Sequence, residues 1–486
     1  RGLYDEALKE TGKTEALVFK AHGMMLDDPV YLETVRNIIG AESVNAEYAV
    51  DETAHIFSKL LSDVDDGYIQ ARNDDVRDIS DRVIDVLLGD DGMQLNTDEQ
   101  VILLVDELTP SETLQLDRSR VLAFVTRSGA VNSHSSILAR SMNIPALTGI
   151  DYSEDADGRP GIVDGSSGTL IIDPDEATVR EYKKKQEDEK KKIGFLRKIK
   201  GKDCVTADGR KIRLYANIGS ISEVKEALDN DAEGVGLFRS EFIYLARQDY
   251  PTEEEQFRIY RTVAEDMAGK RVVIRTLDIG SDKQANYFNL IKEDNPALGY
   301  RGIRISLDRI DIFKTQLRAI YKASYYGNIS VMFPMIVSLD EVLRIKEIIA
   351  EVKKELYDEG TPCGESEIGV MIETPAAVFL SEELAREVDF LSIGTNDLTQ
   401  YMLAADRQNP KLYAINDPHH PAVLKAIRTT IENGHKGGAR VGICGELAAD
   451  TSLTGEFLRM GIDELSVSPS GLLSVKEAVR RTDLSK

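Results

Sequence analysis

The sequence predicts a multidomain chain of α and α/β parts: a helical region over 1–90, a compact α/β unit over 91–175, a helical linker over 176–203 and a C-terminal TIM (β/α)8 barrel over 204–486. Three observations predict it. At 486 residues the chain is too long for one ordinary core. Its first part shows apolar residues at helical spacing without a convincing strand. Its last part alternates eight short apolar runs with helical stretches over roughly 280 residues, the size and rhythm of a TIM barrel.

In the first region, segments such as YLETVRNIIG and DISDRVIDVLL place apolar residues three and four apart, which lines one face of a helix. Residues 1 to 90 also hold 20 Asp and Glu against 9 Lys and Arg. That density reads either as a well-solvated acidic face or as a surface for a basic protein partner.

From about residue 99 the texture changes to short apolar strands, VILLV and VLAFVT, followed by a glycine-containing loop, a helix and the strand-like TLIID near 169 to 173. Within this unit His134 lies in SGAVNSHSSILARSM. Gly129 opens a turn, Asn132 or Ser133 can cap, and SSILARSM reads as a helix with His134 in its first turn. Unsatisfied N–H groups and the positive helix end there welcome an anion, and a neutral imidazole can attack phosphorus. Taken alone, a histidine near a helix start is more often a cap or surface residue. The run EYKKKQEDEKKK from Glu181 has no apolar face, glycine or proline, and reads as a solvated helical connector.

The eight runs of the last part are IRLYANI, GVGLFR, VVIRTLD, ISVMFPM, IGVMIE, FLSIGT, RVGICGE and ELSVSP. Barrel chemistry sits where strands end. Those ends carry Asn217, Arg239, Arg275 with Asp278, Met335, Glu373, Asn396 with Asp397, Cys444 with Glu446, and Ser468. Arg239 and Arg275 offer forked donors suited to phosphate or carboxylate, although each alone reads as an ion pair with nearby Glu241 or Asp278. Glu373 and Asp397 supply two hard oxygen ligands without His or Cys neighbours, a set that suits Mg²⁺ or Mn²⁺ better than zinc. The alternative is a hydrogen-bonded carboxylate pair. Cys444, between glycines, reads as core filler or, beside an anion site, as an acid able to protonate carbon.

Bulk properties narrow the partners. A formal charge of −24 disfavours nucleic acid and anionic membranes. Cys204, Cys363 and Cys444 are isolated and odd in number, which argues against a disulfide framework. No apolar run approaches a membrane span and no signal-peptide pattern opens the chain, so a cytoplasmic protein is expected. Arg1 in place of Met suggests a fragment.

Together these segments resemble the phosphoenolpyruvate-utilising family, and within it the Enzyme I family of the bacterial sugar phosphotransferase system, along nearly the whole chain. SHSSILARSMNIPAL resembles the phosphohistidine motif and LSIGTNDLTQYMLAADR the second family signature. LTPSET, EGVGLFRSEF, RTLDIGSDK, NPALGYRGIRI, MFPMI, GVMIETPAA and GICGELAAD also match, in order. The resemblance implies a phosphohistidine at His134 in a swivelling domain and Mg²⁺ at Glu373 and Asp397. It implies substrate contacts from Arg239, Arg275, Arg301, Asn396 and Arg407, and Cys444 as proton donor to the enolate. It further implies a helical subdomain that docks the carrier protein HPr, and a homodimer through the barrel. Related dikinases and synthases need a nucleotide-grasping part, and no phosphate-cradling glycine motif is present. A non-catalytic relative that keeps the fold is disfavoured by intact His134, Glu373, Asp397 and Cys444. The sequence departs from the family at Val131, where arginine is usual, and at Ser281 and Ala449, where glycine is usual. Family members also begin with a further strand and continue beyond Lys486.

Overall fold

The computed structural model describes residues 22–23, 26, 29–62, 67–89, 99–106, 108, 120–128, 144–245, 247, 249–280, 286–291, 293–407, 409–412 and 414–485. The chain divides into two units, 1–190 and 191–486. Each is taken by itself.

The first unit opens with three helices, α1 (Pro29–Glu42), α2 (Ala46–Ser62) and α3 (Gly67–Leu88). Tyr31 of α1 packs edge-on against Phe57 of α2 and its hydroxyl meets Ser80 of α3 at 2.7 Å, so one aromatic side chain ties all three together. A parallel sheet follows, with β1 (Val101–Val105), β2 (Val121–Thr126) and β3 (Ala146–Thr148) in that order. The antiparallel pair β4 (Gly161–Asp164) and β5 (Thr169–Ile172) completes the unit. The expected strands VILLV, VLAFVT and TLII all form. β3 and β4 went unread, because three or four residues beside Pro145 or Gly161 carry too little pattern to stand out. His134 and the expected helix SSILARSM lie outside the described residues. Helix α4 (Glu176–Ile199) runs through the charged connector and closes with Arg197 and Lys198 in its last turn, where cations suit the helix dipole.

In the second unit eight parallel strands close on themselves. They are β6 (Arg213–Ile218), β7 (Gly234–Arg239), β8 (Arg271–Arg275), β9 (Ile329–Phe333), β10 (Ile368–Ile372), β11 (Phe390–Ile393), β12 (Arg440–Ile443) and β13 (Glu464–Val467). Each pairs with the next, and β13 pairs back to β6. Every one coincides with a run read from the sequence. These strands are buried on both faces, which is why they appear as continuous apolar runs and not as alternating ones. Most strands also end a residue or more before the apolar run does, so Asp278 follows its strand in a loop and Asp397 sits in the first turn of α5 (Thr395–Leu403).

Most of the core lies between the strands and the surrounding helices, including α6 (Glu253–Asp266) and α7 (Leu339–Asp358). Both helices begin with a capping box, Thr252 with Glu255 and Ser338 with Glu341, which satisfies their first N–H groups. A separate small cluster of Leu237, Val273, Met332, Met371, Phe390 and Cys444 fills the barrel interior. Towards the strand starts Arg271 closes the barrel. It pairs with Glu464 at 2.8 Å and lies 4.3 Å over the Phe390 ring. Among the described residues no helix is long and apolar enough to cross a membrane.

Candidate functional site

At the C-terminal ends of the strands a cavity of about 370 Å³ opens. Arg239, Arg275, Arg301, Glu373, Asn396, Asp397, Arg407 and Cys444 all line it, so every barrel residue singled out as a site candidate reaches the same space. Their spacing in the chain is wide, and the closed sheet brings them together. Asn217, Met335 and Ser468, also read from strand ends, stand outside its wall.

Arg239 and Arg275 are register partners on β7 and β8. Arg275 is gripped by Glu241 at 2.5 Å and Asp278 at 3.1 Å. Asp278 also holds Arg301 through both oxygens, at 3.1 and 3.2 Å, and Asp397 approaches Arg301 at 3.5 Å. Burial disfavours charge on both guanidinium groups. The carboxylates outweigh that cost and raise both above the ordinary arginine range, Glu241 and Asp278 around Arg275, and Asp278 and Asp397 around Arg301. Arg239 forms no hydrogen bond or ion pair among the described residues, and its donors face the cavity unspent. The expected ion-pair reading thus holds for Arg275 alone of the two.

Glu373 is almost wholly buried. Met335, held in the left-handed region at φ 58°, turns its N–H onto Glu373 Oε1 at 2.5 Å. The other oxygen faces Gly394, where an added Cβ would come within 3.1 Å of it. Burial, then Asp278 and Asp397, push the Glu373 carboxyl up to about 8 against the opposing pull of Arg275 and Arg301. Asp397 Oδ1 is buried with no hydrogen-bond partner among the described residues, and Arg407 lies 3.6 Å from it. Among the described residues no group of three or more His, Cys, Asp and Glu side chains forms a cage for a metal. Two carboxylates with one oxygen each to spare, in an oxygen-only setting, instead fit a hard divalent cation that takes its remaining ligands from water and substrate.

Cys444 lies in the cavity wall. Burial is the main cause that pushes its thiol up to about 11; a hydrogen bond with Ser392 and the charge of Arg275 oppose it. The thiol therefore stays protonated at neutral pH. Next to it Asn396 and Glu446 clasp each other, Asn396 Nδ2 donating to Glu446 Oε1 at 3.0 Å and the Glu446 N–H to Asn396 Oδ1 at 2.9 Å. Beyond this clasp lies a second polar cavity of about 470 Å³, which includes His419 bound to Asp450 at 2.7 Å. Neither residue was read from the sequence, because no motif spacing links residues 31 apart.

A parallel barrel whose mouth gathers arginines, two carboxylates and a protonated thiol suits a small anionic substrate, and family comparison gives its class. The phosphoenolpyruvate-binding domain of phosphoenolpyruvate-utilising enzymes matches residues 195–484, their mobile domain residues 97–168 and their N-terminal domain residues 1–72. The phosphoenolpyruvate-protein phosphotransferase of Priestia megaterium is 44% identical over 483 residues, covering 99% of this chain and 84% of the relative. That of Bacillus subtilis (strain 168) is 43% identical over 488 residues, 100% of this chain and 85% of the relative. The solution structure of an Enzyme I (nEIt) protein is 37% identical across 39% of this chain and 77% of its own, with a TM-score of 0.32, too loose a superposition to bear on the fold. With such identity over nearly its whole length, the chain belongs to the phosphoenolpyruvate-protein phosphotransferase family.

Proposed function

We propose that this enzyme takes the phosphoryl group of phosphoenolpyruvate onto its own His134 and passes it to the carrier protein HPr, releasing pyruvate, as the first step of sugar uptake by the phosphotransferase system. The observation that carries the reading is the convergence of Arg239, Arg275, Arg301, Glu373, Asn396, Asp397, Arg407 and Cys444 on one cavity. Family membership supports the same activity.

In this reading Arg239 meets the substrate's negative groups with donors that no described residue occupies, while Arg275 and Arg301, fixed by their carboxylates, present an arrangement that needs no reorganisation. Asn396 and Arg407 complete the contacts. Glu373 and Asp397 would hold Mg²⁺ or Mn²⁺, which when bound supplies charge neutralisation for the substrate oxygens. His134 attacks phosphorus in line, and the bond between phosphorus and the enol oxygen breaks. Cys444 then gives its proton to the methylene carbon as the enolate carbonyl re-forms, and the thiolate recovers a proton from water. Residues 1–90 dock HPr through their acidic surface, residues 91–175 carry the phosphohistidine and residues 176–203 link them to the barrel. The protein works in the cytoplasm, as a homodimer through the barrel.

The test is incubation with ³²P-labelled phosphoenolpyruvate and Mg²⁺, with and without HPr. Label is expected on the chain, lost in His134→Ala and transferred when HPr is added. Label that survives His134→Ala would overturn the reading.

A further inference from the structure

Asn217, on β6, does not line the cavity. Its side chain is nevertheless fully committed. Asn217 Nδ2 donates to the backbone carbonyls of Cys444 at 2.8 Å and Ser466 at 3.0 Å, and Asn217 Oδ1 accepts from the Ser466 hydroxyl at 2.6 Å. Both amide protons and the oxygen are thereby used, which fixes the amide in one orientation. Ser466 has room for this bond because Gly236 faces it; a Cβ there would lie 2.4 Å from the Ser466 hydroxyl.

The far end of this bridge is the backbone of Cys444. That residue is also held from the other side, where its N–H donates to the Ile393 carbonyl at 3.1 Å. With N–H and C=O both pinned, the direction of its Cα–Cβ bond, and so the reach of the thiol into the cavity, is set by Asn217 on one side and β11 on the other.

We infer that Asn217, locked by Ser466, is a positioning residue that aims the Cys444 thiol at one face of the substrate's methylene carbon. The inference rests on the acid role of Cys444. In the step concerned the Sγ–H bond breaks, a C–H bond forms from the π electrons of the enolate, the carbonyl re-forms, and the thiolate is reprotonated by water. Stereochemistry is the sensitive quantity. A thiol held in one place delivers its proton to one face, whereas a thiol that wanders lets enolpyruvate escape and tautomerise in solution from both faces.

The experiment uses the full chain with phosphoenolpyruvate carrying tritium stereospecifically on its methylene carbon, turned over in deuterium oxide, and reads the chirality of the pyruvate methyl group beside the extent of His134 labelling. The wild type is expected to give one hand, and Asn217→Ala a near-racemic methyl group with its protonation slowed on the order of 10- to 100-fold, with labelling of His134 unchanged. Ser466→Ala, which removes only the hydroxyl that locks the amide, is expected to lose part of the chirality and serves as the test if Asn217→Ala does not fold by circular dichroism. In a Cys444→Ala background Asn217→Ala is expected to add nothing. One-handed pyruvate from both Asn217→Ala and Ser466→Ala, or a further loss in the Cys444→Ala background, would overturn the inference. If Cys444→Ala itself leaves the chirality intact, the acid role of Cys444 fails, and the inference with it.

Discussion

Arg239 and Arg275 stand side by side as register partners at the ends of β7 and β8, yet among the described residues two carboxylates hold Arg275 and none holds Arg239. The same residue type therefore does two jobs. Arg239→Ala should raise KM for phosphoenolpyruvate on the order of 10- to 100-fold, the worth of charged hydrogen bonds to a substrate, while unfolding in urea shifts by less than about 0.5 kcal/mol. Arg275→Met should cost about 3–5 kcal/mol of stability, because it breaks the buried pairs that Arg275 makes with Glu241 and Asp278. Equal stability losses in the two variants would contradict this division.

If Glu373 holds the cation as proposed, its raised carboxyl should make binding depend on pH. Below about 8 the free chain carries a proton on Glu373 that a divalent cation must displace, so affinity should climb by up to about tenfold per pH unit and level off above that value. Calorimetric titration with Mg²⁺ in two buffers of different ionisation enthalpy measures the proton released. Glu373→Gln should weaken binding and abolish the release; binding that is flat from pH 6 to 8 in the wild type contradicts the proposed ligand.

Two buried thiols should contribute to an alkaline limit. Burial pushes Cys204 up to about 12 and Cys444 up to about 11, from an ordinary value of 9.0. The fold favours the protonated form, whereas the unfolded chain ionises from about pH 9 onward. Their stabilising contribution is complete below that value and is lost as pH rises towards the folded values, at roughly 1.4 kcal/mol per pH unit for each thiol. Urea unfolding at a series of pH values from 8 to about 10.5 should show the decline, and Cys204→Ala should flatten it. An identical slope in that variant would show that other groups control the alkaline limit.

Acidic docking of a basic carrier should be salt-sensitive. With 20 acidic against 9 basic residues in 1–90, association with HPr should slow several-fold as NaCl rises from about 50 to 500 mM, since steering by surface charge is screened beyond roughly a Debye length. Stopped-flow fluorescence follows the rate. An association rate indifferent to salt would place the carrier elsewhere.

The barrel was legible because strands buried on both faces print themselves as apolar runs, and because their ends print polar residues. Partner choice was not. Nothing in RTLDIG or GLFRSEF tells which arginine Glu241 prefers, since the turn after each strand decides where its carboxylate points. Likewise Asn217 read as one more polar strand end, and only closure of the sheet brings its amide to a carbonyl 227 residues away. The clasp between Asn396 and Glu446 joins two motifs that were recognised separately, 50 residues apart.

Pairing of β13 with β6 also has a meaning for the birth of the protein. Strand β6 leaves the ribosome long before β13, and in the interval its outer edge has no neighbour and Asn217 has neither of its carbonyls. A loop of that length closes slowly, and the open edge invites association with other nascent chains. The bridge from Asn217 to the Cys444 backbone is thus assembled last, by the same event that seals the barrel.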